Sequence, residues 1–85
     1  MSNFVISITL ADLTPRHLRL LRAGCSEYGT SVMTHEEMEL HAAGDLVEAG
    51  LMVDDGLLER NYRYRGFRTT IAGRAFLRQE GREQP

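Results

Sequence analysis

At 85 residues and 9.6 kDa, the chain has room for one hydrophobic core and no second. Apolar residues at 42% and charged residues at 26% exclude a disordered chain, and a single cysteine excludes an internal disulfide framework or a Cys-rich zinc module. No apolar run is long enough for a transmembrane helix or a signal peptide, so a cytoplasmic protein is expected.

The formal net charge of −2 conceals a strong pattern. Residues 1–26 sum to +2, residues 27–59 hold nine acids and no base, and residues 60–85 sum to +5. Every basic residue is arginine, whose planar fork grips phosphate or carboxylate in a bidentate way.

In chain order, Asn3 to Leu10 alternates apolar and polar positions, the period of a strand with one buried face. Thr14-Pro15 reads as an N-cap and first helical residue, and the helix is expected to run from Pro15 to about Ala23, with Gly24 near its end. Leu18, Leu20, Leu21 and Cys25 share one arc of this helix, with Arg16, Arg19 and Arg22 on the other. Thr30 to Met33 is expected to form a short strand. Thr34 and Glu37 have capping-box spacing, predicting a second helix from His35 to about Ala49 that ends at Gly50. That helix is apolar around most of its circumference. Its narrow polar strip is Glu37, His41, Asp45 and Glu48.

Leu51 to Val53 is expected as a strand and Asp54-Asp55-Gly56 as a hairpin turn. Arg60 to Gly66 interleaves arginine with tyrosine, and Phe67 to Ile71 reads as a returning strand. Thr70 then caps a last helix, along which Arg74, Arg78 and Arg82 recur at every fourth residue. Residues 1–80 are expected to form a single domain and residues 81–85 a frayed polar tail.

Two segments carry a resemblance. Leu46-Val47-Glu48-Ala49-Gly50-Leu51-Met52 is similar to the end of the recognition helix and the first wing strand of the winged helix-turn-helix superfamily. Thr69-Thr70-Ile71-Ala72-Gly73-Arg74-Ala75-Phe76-Leu77 is similar to its second wing strand running into the C-terminal helix. The resemblance covers about residues 14–80 and is greatest to small uncharacterised winged-helix proteins of bacteria and their prophages. It implies an α+β winged helix with a β-hairpin wing and a C-terminal helix, to which the strand Asn3–Leu10 is an extra N-terminal element the minimal domain does not need. Only about 16 residues separate Thr34 from Gly50, so the helix-turn-helix is compressed into one long helix or two short ones.

The wing would hold Arg60, Tyr62, Arg63, Tyr64, Arg65 and Arg68, a set suited to lying along phosphates, with Arg19 and Arg22 extending the basic surface. The first functional expectation is therefore a small protein that binds double-stranded DNA or regulates transcription. If all four wing arginines neutralise phosphates, the salt slope of binding should be about −3.6 per protomer. The same segment also reads as a solvated hairpin whose arginines pair with the acids upstream. Against DNA reading stands the acidic strip Glu37, His41, Asp45, Glu48, which lacks Arg, Asn or Gln for base contacts.

The alternative expectation is a non-enzymatic protein-binding module of phage or mobile-element type that uses the acidic helix 35–50 on a host protein. A counter-defence inhibitor such as an anti-CRISPR protein belongs to this class. A homodimer fits both expectations, with the acidic helix meeting a basic wing across a two-fold axis or the N-terminal strands pairing at their edges. Glu37, His41 and Asp45 fall on one helix face, but His35 and His41 are six residues apart and point different ways, so no metal site is expected. Cys25 lies on the leucine arc and reads as a small buried apolar residue. No Gly-rich phosphate loop or paired carboxylate set is evident, and neither an enzyme nor a cofactor is expected.

Overall fold

A computed structural model of the chain describes residues 13–82. In order the elements are α1 (Pro15–Ala23), β1 (Thr30–Met33), α2 (Glu37–Glu48), β2 (Met52–Leu57), β3 (Tyr64–Thr69) and α3 (Ile71–Arg82). The expected strand Asn3–Leu10 lies outside the described residues.

α1 begins where its sequence dictates. The Thr14 side chain accepts a hydrogen bond from the His17 backbone N–H, and the His17 ring accepts one from the Thr14 backbone N–H at 3.1 Å. This is a capping box with histidine at the third helical position, preceded by Pro15 at the first. α1 buries Leu20 and Leu21 and leaves Arg19 and Arg22 exposed. Cys25 is only half-buried, and its thiol donates to the Leu21 carbonyl at 3.4 Å.

One helix, not two, spans the interval between β1 and β2. It starts two residues later than expected, and the Thr34–Glu37 capping box does not form. The reason is a competing ladder bond. The Thr34 N–H donates to the Arg63 carbonyl at 2.7 Å, so it is not free for the Glu37 side chain, and Glu36 is left as a cap without a side-chain bond. The end of α2 follows the expectation at Gly50. Its φ of 81° lets the Leu51 N–H reach the Leu46 carbonyl at 2.9 Å and its own N–H reach Val47 at 3.0 Å. α2 buries Ala42, Ala43 and Leu46, while Met38, expected on an apolar face, is 66% exposed.

The sheet is antiparallel in the order β1-β3-β2. The Asp54-Asp55-Gly56 turn is corrected by the structure: β2 runs straight through it. Asp54 faces Phe67 and Gly56 faces Gly66, so Asp55 is the extra residue of a β-bulge. Gly56 has the positive φ, 87°, that makes Asp-Gly a turn signal, but it is spent on the bulge, with its N–H on Asp54 Oδ1 at 2.8 Å. The true turn comes later. Leu58 N–H bonds the Tyr64 carbonyl at 2.9 Å, and Asn61 Oδ1 accepts from the Arg63 N–H at 3.0 Å. The returning strand accordingly begins at Tyr64 rather than Phe67 and stops at Thr69.

Helices and sheet enclose Leu20, Leu21, Val32, Ala42, Ala43, Leu46, Leu51, Met52 and Phe67. α3 closes the core edge with Phe76 and Leu77, and Thr70 caps it by accepting from the Gly73 N–H at 3.0 Å. Gly73 sits so close to the Leu51 carbonyl that a Cβ would overlap it. Gly24 is likewise pressed against Thr69 and Met52. No helix among the described residues is long and apolar enough to cross a membrane.

Candidate functional site

The hairpin turn carries the exposed part of the basic segment. Arg60, Tyr62 and Arg63 are exposed at its tip, Tyr62 to 70%. Neither Arg60 nor Arg63 forms an ion pair among the described residues. Tyr64 is half-buried at the start of β3.

Arg65 and Arg68 are placed differently. Arg65 Nε lies 2.8 and 3.0 Å from the two carboxylate oxygens of Asp54. Arg68 makes a two-nitrogen fork onto Asp55, at 2.8 and 2.9 Å. Adjacent strand residues point to opposite faces, as do residues three apart. The Asp54–Arg65 pair therefore sits on the helix-facing side with Phe67, and the Asp55–Arg68 pair on the outer side. The hydrogen bond from Arg68, aided by its charge, holds the Asp55 carboxyl below the usual carboxylate range despite slight burial. The same bond raises Arg68 above its ordinary value.

The α1 arginines are also engaged. Arg16 Nε lies 3.3 Å from Glu39 Oε2, and Arg19 bonds the same oxygen. Arg22 is exposed in the last turn of α1. Arg74 donates to the Cys25 carbonyl at 2.9 Å, just beyond the C-terminus of α1. The eight residues expected to form one basic surface are thus divided. Only Arg60, Tyr62 and Arg63 stand together as an exposed tip.

The acidic strip divides as well. Glu37, His41 and Glu48 are exposed, but Asp45 turns inward. Its Oδ2 lies 3.0 Å from Nε2 of His17, a residue only 9% exposed. Because Nδ1 of His17 accepts the Thr14 N–H, the ring proton resides on Nε2 and is donated to Asp45. The Thr14–His17–Asp45 chain resembles a hydroxyl–imidazole–carboxylate relay. Here its hydroxyl caps α1 and its carboxylate ties α1 to α2, so both ends serve the fold. Sequence reasoning missed His17 and Glu39. Thr14-x-x-His17 at capping-box spacing was the available signal for the first; no local signal marks the second.

α2 stands as a ridge between two clefts. One, of about 380 Å³, lies against α1 and is lined by Thr14, His17, Glu37, Met38, His41 and Asp45. The other, of about 580 Å³, lies against the hairpin, with Leu40, Val47 and Phe67 inside and Glu48, Asp54 and Arg65 at its rim. Both have walls of mixed apolar and charged residues. Among the described residues no three His, Cys, Asp or Glu side chains converge as metal ligands.

Compared with known protein families, with curated proteins and with solved structures, the chain matches none.

Proposed function

We propose that the chain is a non-enzymatic, winged-helix-type module that docks a basic protein surface onto the exposed ridge of α2. One observation carries this reading. The helix just ahead of the hairpin, at the place of a recognition helix in the winged-helix resemblance, exposes Glu37, Met38, His41 and Glu48 and no arginine. Carboxylates there repel phosphate, whereas they complement lysines and arginines of a protein partner. Met38, 66% exposed beside Glu37 at the start of α2, adds an adaptable apolar contact at the edge of the charge. A host protein that itself binds nucleic acid has the required basic face.

Affinity capture from the native host tests the reading. Glu37→Arg/Glu48→Arg should abolish capture of a discrete partner, and Arg60→Ala/Arg63→Ala should leave it intact. The opposite pattern would overturn it.

A second reading, a small DNA-binding or transcription-regulating protein, is favoured by the wing tip. Arg60, Tyr62 and Arg63 form an exposed group of two cations and one ring, which is the chemistry of phosphate-backbone contact. With Arg65 and Arg68 held by carboxylates, this contact is narrow and carries no base readout. Binding of a random duplex at low salt, lost on Arg60→Ala/Arg63→Ala, would establish it.

A further inference from the structure

We infer that the wing tip docks on the N-terminal end of α2 in a second copy of this chain, forming a two-fold dimer with two identical contacts.

The geometry rests on adjacency. The Thr34 N–H bonds the Arg63 carbonyl at 2.7 Å, and the Glu36 N–H bonds the Met33 carbonyl at 3.0 Å. These bonds set the hairpin turn beside the β1–α2 turn. Arg60, Tyr62 and Arg63 therefore share one end of the molecule with Glu36, Glu37 and Met38, all six exposed. Yet no arginine of the tip pairs with either glutamate within the chain. The two patches have opposite sign and lie side by side.

A two-fold contact requires that when one residue faces another, the second faces the first in return. Two complementary patches side by side on one end satisfy this directly. A two-fold axis between them lays each tip on the partner's acidic patch. Arg60 and Arg63 then meet Glu36 and Glu37, and the Tyr62 ring, 70% exposed, meets the Met38 side chain, 66% exposed. Arginine and tyrosine are enriched among the residues that anchor protein interfaces. The dimer does not depend on any other partner. Where a basic partner exists, the tip of the second copy competes with it for Glu37 and Met38, so self-association would regulate access to α2.

Sedimentation equilibrium from micromolar to millimolar protein, at low and high salt, tests this with two charge-reversal variants. Wild type should move from 9.6 kDa toward twice that mass, less so at high salt. Arg60→Glu/Arg63→Glu and Glu36→Arg/Glu37→Arg should each remain monomeric, because each places like charges in both contacts. Mixed one to one, they should restore the dimer, since an all-acidic end then faces an all-basic end twice. Circular dichroism of each variant alone confirms that it is folded before mixing. Wild type that stays monomeric at millimolar concentration, or a mixture that fails to associate, would overturn the inference. Loss of partner capture with the dimer intact would instead remove only the docking reading above.

Discussion

The buried imidazole of His17 and the carboxylate of Asp45 lie 3.0 Å apart and join the first turn of α1 to the third turn of α2. His17 is fixed from its other side by the Thr14 N–H, so the pair sets both where α1 begins and how it lies on α2. Removing the acceptor leaves a buried ring N–H unpaired, which costs about 1–3 kcal/mol. Asp45→Ala should therefore lower stability in urea unfolding by an amount in that range. Asp45→Asn, which keeps an oxygen acceptor, should lose less than half as much. Equal losses would mean that the hydrogen bond is not what the carboxylate supplies.

The Asp55–Arg68 pair predicts an acid-sensitive increment of stability. Asp55 has a folded value below its ordinary 3.8, so its contribution is present above that value and is lost as pH falls through the depressed one. In thermal melts, wild type and Asp55→Asn should differ at neutral pH and converge below pH 3.8. The difference should shrink in high salt, because the pair is exposed. A gap that persists at low pH would show that the mutation acts through the bulge rather than the charge.

Two glycines should respond oppositely to alanine. Gly44 sits inside α2 with open space where a Cβ would lie. Gly44→Ala should stabilise by up to about 1 kcal/mol, the difference in helix propensity. Gly73 also lies in a helix, but a Cβ there overlaps the Leu51 carbonyl. Gly73→Ala should destabilise by about 1–3 kcal/mol as α3 is pushed off Leu51 and Thr69. Melting temperatures that rise for both would contradict the close packing of α3.

The division of the basic segment has a thermodynamic signature. If nucleic acid binds at all, contact through Arg60 and Arg63 alone gives a salt slope of about −1.8 per protomer. Fluorescence anisotropy across a salt series should return that value for wild type and for Arg65→Ala/Arg68→Ala alike. A slope near −3.6 that falls in the double variant would show that Asp54 and Asp55 release their arginines to phosphate, as weak surface pairs can.

The sequence by itself determined the elements whose signals are local. Thr14-Pro15 and Gly24 bracket α1, Gly50 ends α2 and Thr70 starts α3; each is set by bonds between residues a few positions apart. The Arg60–Arg63 segment stands out in the sequence as basic and tyrosine-interleaved, but the turn is expected at Asp54-Asp55-Gly56; that the segment forms the hairpin tip was decided by the strand pairing. Tertiary structure alone decided which charges remain available. Asp54 meets Arg65 across 11 positions, Asp55 meets Arg68 across 13, and His17 meets Asp45 across 28. Such pairs depend on strand register and helix packing. The bulge at Asp55 shifts that register by one residue, and strand alternation sets the adjacent aspartates on opposite faces of the sheet. The capping box at Thr34 failed by the same logic: its N–H was claimed by Arg63, a residue far along the chain that only the folded sheet brings near.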